Sequence, residues 1–206
     1  MIRGLHVLAI GILVLAAGCA RQPVQPVDNW QAHEARAAAL THWQLSGKLA
    51  VRVPDDNGSA RLGWRQRGDD FRIDLSGPFG QGRVIIDTTD TGVRLRQGGE
   101  PPLEATSASE LVWQATGWQL PVEPLLYWVR GIPSPETDYR VLERTAEGLL
   151  GTLSQNDWTL HFSDYHATRL LPLPGRIVAE RDDIRLILVI HRWTFPEAAP
   201  AERSDT

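Results

Sequence analysis

The chain holds one cysteine in 206 residues, so no internal disulfide can form. Its longest apolar run, Val7 to Ala17, is eleven residues, too short for a spanning helix, which needs roughly 20. G-x-S-x-G, H-E-x-x-H, C-x-x-C, P-loop and G-x-G-x-x-G patterns are all missing. That removes the usual hydrolase, zinc-protease, thiol-redox and nucleotide-binding chemistries. Cations are outnumbered, 21 basic residues against 25 acidic, which argues against nucleic acid as a partner. No internal repeat is visible.

What is present begins at the amino terminus. One basic residue, Arg3, an apolar core and small residues before a break describe a secretory signal, so residues 1–18 are excluded from the fold. Leu15-Ala16-Ala17-Gly18-Cys19 resembles the lipobox of bacterial lipoproteins, with Ala16 where Leu is usual. The resemblance implies that Cys19 becomes the lipid-modified first residue, and Ala20 in place of Asp implies sorting to the outer membrane. Removing Arg3 leaves 20 basic against 25 acidic residues, a net charge of −5. A mildly acidic body is not expected to grip anionic lipid by charge, so membrane contact falls to the anchor and to apolar surface. Residues 19–28, with Pro23 and Pro26, read as a semi-extended tether.

The body, residues 29–195, is predicted to be one mainly β domain. Asn29 caps a first helix carrying Trp30, His33 or Glu34, and Ala37 at helical spacing. From Trp43 the period changes to two. Leu45, Gly47, Leu49, Val51 and Val53 share a face, then Leu62 and Trp64, then Phe71, Ile73 and Leu75, then Val84 and Ile86. Pro54 to Gly58 is expected to make the first hairpin turn, with Asn57-Gly58 as its strong signal, and Gly68-Asp69 the second. Ser107 to Glu110 fits a capping box before Leu111, Val112 and Ala115, and a second short helix runs through Leu125, Trp128 and Val129. Strands resume at 138–143, 149–155, 158–163 with Trp158, Leu160 and Phe162 aligned, 176–180 and 184–193. Ile184 to Ile190 is apolar on both faces and is expected under helix cover. About eleven strands exceed an ordinary sheet, which must curl into a barrel or most of one. Two apolar-striped helices then cover its open face. Residues 196–206 read as a disordered tail.

Candidate chemistry is sparse. His161 and His166 flank Asp164, but in a strand they point apart unless the chain turns there, so no metal site and no cofactor are expected. The acidic pairs at 55–56, 69–70 and 182–183 fall in turns, where Asp serves the backbone. The singular stretch is Gly77-Pro78-Phe79-Gly80, an aromatic at the tip of a turn after a clean strand. Phe79 either packs beneath a neighbouring loop or stands out as an apolar finger.

Gly47-Lys48-Leu49-Ala50-Val51, Trp64-Arg65-Gln66, Leu75 to Gly80, Thr116 to Val122, Trp128 to Pro133, Gln155 to Trp158 and Ile190 to Trp193 together resemble the LolB family of outer-membrane lipoproteins, in order, over residues 30–193. The resemblance implies a single unclosed antiparallel half-barrel with a helical lid over an apolar cavity. It also implies that the protein accepts lipoproteins from the periplasmic carrier LolA by their acyl chains and inserts them into the outer membrane, without enzyme activity. The expected partners are therefore a LolA-like carrier, lipoprotein cargo and outer-membrane phospholipid, with the chain acting as a monomer. In the family a Leu at the tip of the protruding loop aids release; that position is Phe79 here, which favours the finger. The expected cavity residues are Leu49, Val51, Leu62, Trp64, Phe71, Ile73, Leu75, Val84, Ile86, Leu125, Trp128, Trp158, Leu160 and Phe162. The competing readings are a structural or adaptor lipoprotein whose eight Trp merely fill a core, and a lipid-modifying enzyme.

Overall fold

The computed structural model describes residues 23–54, 56–77 and 82–196. Cys19, Pro78, Phe79, Gly80, the signal segment and the tail from 197 lie outside the described residues. Among the described residues no helix is long and apolar enough to cross a membrane.

Helix α1 (Trp30–Ala38) starts where Asn29 accepts a hydrogen bond from the Ala32 amide at 3.0 Å. A meander follows: β1 (His42–Val53), β2 (Asp56–Arg67), β3 (Asp70–Ser76), β4 (Val84–Thr89), β5 (Gly92–Gln97) and the short β6 (Leu103–Ala105). Helices α2 (Ala108–Thr116) and α3 (Val122–Trp128) interrupt it. Strands β7 (Tyr139–Arg144), β8 (Leu150–Gln155) and β9 (Trp158–Ser163) resume. A small ribbon of β10 (His166–Ala167) and β11 (Pro172–Leu173) precedes β12 (Arg176–Arg181) and β13 (Ile184–Thr194).

Eleven strands form one antiparallel sheet in the order β6-β5-β4-β3-β2-β1-β13-β12-β9-β8-β7. The first and last strands of the domain therefore meet in its middle, and β6 and β7 remain as unjoined edges. Alternation sets which residues face inward. In β1 the buried positions include Trp43, Leu45 and Val53, and in β2 they are Leu62, Trp64 and Gln66. Gly47 is required by close approach, since a Cβ there would lie 2.0 Å from the Val189 carbonyl oxygen. Pairing slips by one residue at this point, from Ser46↔Arg192 to Gly47↔Ile190, so β13 bulges at His191.

Three expectations are corrected. The first hairpin turn is shorter than Pro54 to Gly58, because Val53 pairs with Asp56, and Asn57 and Gly58 already sit in the ladder opposite Arg52 and Val51. Asn57-Gly58 carries the local turn signal, but the cross-strand register of the longer hairpin overrides it. The acidic residues before β3 and β13 do turn the chain, and Asn156-Asp157, with φ of 55° and 62°, makes the left-handed turn between β8 and β9. The apolar run Leu170 to Pro174, whose two prolines predict an irregular segment unfit for a central strand, is not wholly irregular: Pro172-Leu173 pairs with His166-Ala167 apart from the main sheet. Finally, only the inward row of β13, Leu186, Leu188 and Ile190, is buried; Ile187 and Val189 face outward half-buried, with Ile187 between Ala50 and Val178 of the adjoining strands.

Candidate functional site

The two helices between the meander and β7 form a lid over the inner face of the sheet. Ser107 caps α2 by accepting from the Glu110 amide at 3.1 Å, and Gly117, at φ 73°, ends it. Glu110 reaches back to the Thr106 amide rather than to Ser107, one residue beyond the usual capping box. Ser109 joins the helices: its amide donates to Glu123 at 2.9 Å, its hydroxyl to the same carboxylate and to the Leu120 carbonyl, and it accepts from the Val122 amide.

Behind α3 the lid is fastened to the rest of the body. Arg130 is 4% exposed, and among the described residues it makes no ion pair. One guanidinium nitrogen donates to the carbonyls of Ala37, Ala38 and Leu40 at 3.0, 2.9 and 3.2 Å, and another to Leu126 at 3.1 Å. A cation at the carbonyl end of α1 is favoured by the helix dipole. Burial holds its pKa below the ordinary arginine value. Arg130 thus ties α3 to the helix that follows the tether, and Val27 ties the end of the tether to Glu147 through a 2.8 Å backbone bond.

Under the lid is an apolar cavity of about 240 Å³. Of the residues expected to line it, Leu49, Val51, Leu62, Trp64, Ile73 and Leu75 do so from β1 to β3, joined by Val84 and Ile86 from β4 and Leu125 from α3. Ile177, Ala179, Leu186 and Leu188 close the other side, and Val112, Ala115 and Trp118 contribute from the lid. The remaining five are placed elsewhere. Phe71 borders a neighbouring hollow with Tyr127. Trp158, Leu160 and Phe162 are buried in the core beside Leu150 and Leu153, where Trp128 from α3 packs against them. The Trp128 and Trp158 rings are 6.5 Å apart, and Arg181 stacks over Trp158 at 4.8 Å. One half of the sheet is therefore filled by aromatic packing and the other is left hollow. Trp64 sits at the boundary, its ring 5.4 Å from Trp43 and its indole N–H donating to Gln66.

His161 and His166 do not converge. Asp164 at φ 55° turns the chain between them; His161 lies beside Thr152 and Glu180, and His166 beside the Ile190 carbonyl. Sequence reasoning missed Arg130, Gln66 and Gln155, three polar residues buried in an apolar setting. Gln66 alone had a signal, since it continues the inward parity of Leu62 and Trp64.

A sequence profile described as "Outer membrane lipoprotein LolB" matches residues 41–193. Among named relatives, an outer-membrane lipoprotein LolB of Cellvibrio japonicus is 44% identical over 198 residues, covering 94% of this chain and 98% of its own. The same-named protein of Stutzerimonas stutzeri is 38% identical over 195 residues, covering 91% and 94%. In three dimensions the chain is similar to a LolA superfamily protein from Nitrosomonas europaea, with TM-score 0.53, 12% identity and coverage of 82% and 94%. A putative outer membrane lipoprotein-sorting protein domain from Vibrio parahaemolyticus gives TM-score 0.54 at 9% identity, covering 83% and 92%. At such identities the two solved structures speak for the fold alone.

Proposed function

Since the chain belongs to the LolB family of outer-membrane lipoproteins, we infer that it receives lipoproteins at the periplasmic face of the outer membrane and inserts them there. The observation that carries this reading is the lidded cavity, whose lining is almost wholly apolar, aliphatic side chains with two tryptophans, Trp64 and Trp118. Each buried methylene contributes about 0.8 kcal/mol, so an acyl chain left bare in water costs on the order of 10 kcal/mol. A relay has to hide such chains without gripping them, and an apolar pocket without directional partners does both. At about 240 Å³ the cavity is smaller than the roughly 300–1,000 Å³ of sites that enclose drug-sized ligands. Uptake therefore requires α2 and α3 to move, and the Ser109–Glu123 contact lets them move as a pair.

The donor is a LolA-like soluble carrier, and transfer proceeds down a gradient of affinity from carrier to cavity to bilayer. No bond is made or broken, so no catalytic group or cofactor is called for. Cys19 carries the anchor, residues 19–28 form the tether, and the chain acts as a monomer. Phe79 enters the bilayer from the turn between β3 and β4; burying its ring adds roughly 2–3 kcal/mol, enough to orient the body and too little to hold it.

The test is displacement of an apolar dye by fatty acid from the purified protein, followed by transfer from loaded carrier to vesicles. Binding of the dye, together with normal acceptance but impaired delivery by Phe79→Glu, is expected. Absence of binding would leave a structural or adaptor lipoprotein as the better account, and equal delivery by the variant would remove the finger.

A further inference from the structure

The net charge of −5 conceals a segregation that the sheet makes visible. Outward positions of the β1–β2 hairpin hold Lys48, Arg52, Arg61, Arg65 and Arg67 and no carboxylate, and all five are exposed. Among the described residues none of the five makes an ion pair. The nearby acids are committed elsewhere. Asp74 is held by Arg83, and Asp87 is enclosed by Arg72, Arg94 and Arg96. Moreover Lys48 and Arg61 stand directly opposite each other, as do Arg65 and Arg72. Like charges at facing positions repel and cost stability; Asp87 offsets Arg72, whereas Lys48 and Arg61 have no ion-pair partner among the described residues, and a negative group from outside would relieve them.

Between Lys48 and Arg61 lies a shallow hollow, also lined by Ser46, Ser76, Asp74 and His191. It is open because Gly63, on the outward face between Arg61 and Arg65, carries no side chain there. Two cations, two hydroxyls and an imidazole around a gap of this kind suit a phosphodiester, the one carboxylate, Asp74, being neutralised by Arg83. Ser76 pairs with Arg61 and is the last residue of β3, so the hollow lies at the root of the turn that carries Phe79.

We propose that this outward hollow, centred on Lys48 and Arg61, binds the phosphate head groups of anionic phospholipid in the outer membrane. The inference rests on the membrane-facing placement of Phe79 proposed above: a ring at acyl depth sets the residues at its root at phosphate depth. The tether limits the alternatives. Val27 is fixed to Glu147, and the eight residue steps from Cys19 to Val27 reach at most about 28 Å. The bilayer surface is therefore always within range of the body, whereas a soluble carrier visits.

Lys48 is the only lysine of the chain, so amine acylation reads this one site. The full lipidated protein is reconstituted in vesicles of phosphatidylcholine alone or with one-third phosphatidylglycerol, the anchor being the same in both, and treated with a water-soluble acylating ester. Acylation of Lys48 is expected to be about fivefold slower on the anionic vesicles and to recover at high salt. Arg61→Ser, an exposed change that leaves the fold intact, is expected to lose most of that protection. Equal rates on the two vesicles, fast or slow, overturn the proposal. So does equal protection by inorganic phosphate with neutral vesicles, which would mark a free-phosphate site. Because the readout is Lys48 and not delivery, it fails separately from the Phe79→Glu transfer test.

Discussion

The indole N–H of Trp128 donates to the side-chain oxygen of Gln155 at 2.9 Å, both side chains being buried in the core. The same oxygen accepts from the Ser134 amide at 2.9 Å, and the amide nitrogen of Gln155 donates to the carbonyls of Ser134 and Thr137 at 2.7 and 2.9 Å. Both lone pairs and both N–H groups of the glutamine amide are thus used to fix the end of α3 and the strand-free segment after it. This divides the interior: Trp128 is held in the filled half, and α3 presents Leu125 to the hollow half.

Gln155→Leu preserves approximate volume and leaves the Trp128 indole and the Ser134 amide buried without acceptors. A loss of about 2–4 kcal/mol is expected, measured by urea unfolding. A change within a few tenths of a kcal/mol would show that the network contributes little.

His33 supplies a pH dependence. Its ring is fully buried in α1, neither nitrogen has a hydrogen-bond partner among the described residues, and the Trp30 ring is 5.5 Å away. Burial first, and the Arg36 charge second, lower its pKa from 6.5 to about 4. Between these values the unfolded chain binds the proton and the folded one does not. Stability is therefore full above pH 6.5, falls as pH drops from 6.5 to 4, and changes no further through this residue below 4. The expected loss is about 3 kcal/mol, seen as a falling urea midpoint, and His33→Leu should flatten that window. Asp74 and Glu110, whose carboxyls are held low by Arg83 and by Thr106, act at more acidic pH and remain in the variant. A slope retained by His33→Leu between pH 4 and 6.5 would assign it to another group.

The cavity can be closed from the lid. Ala115 is exposed on α2 yet borders the hollow, so Ala115→Trp has room to enter without overpacking the sheet. Fatty-acid displacement is expected to weaken tenfold or more, with the unfolding midpoint within about 1 kcal/mol of the parent. Undiminished binding would place the acyl site outside this cavity.

Local signals were enough for the caps at Asn29 and Ser107 and for the alternating strands, because each depends on neighbours a few residues away. Strand β6 escaped notice because three residues are too few to show a period. The division between cavity and core was not legible either. Trp158, Leu160 and Phe162 alternate just as Leu62 and Trp64 do, and only the arrival of Trp128 from another element fills one set and leaves the other bare. Arg130 was invisible for the same reason, since its acceptors at Ala37 and Ala38 lie over 90 positions away in the chain. The cationic face of the β1–β2 hairpin was not legible in the net charge, which averages over faces that the sheet separates.

The pairing of β1 with β13 bears on how the molecule comes to exist. Nine residue pairs bind the opening strand of the domain to its closing one, and no ladder spans both halves of the sheet without them. The β1–β6 meander and the β7–β9 ribbon can each begin alone, but they become one body only when the last strand arrives. Contacts so distant along the chain make folding slow. A chain still crossing a membrane toward its carboxyl end would stay in two uncommitted pieces, and the final segment to emerge would be the one that joins them.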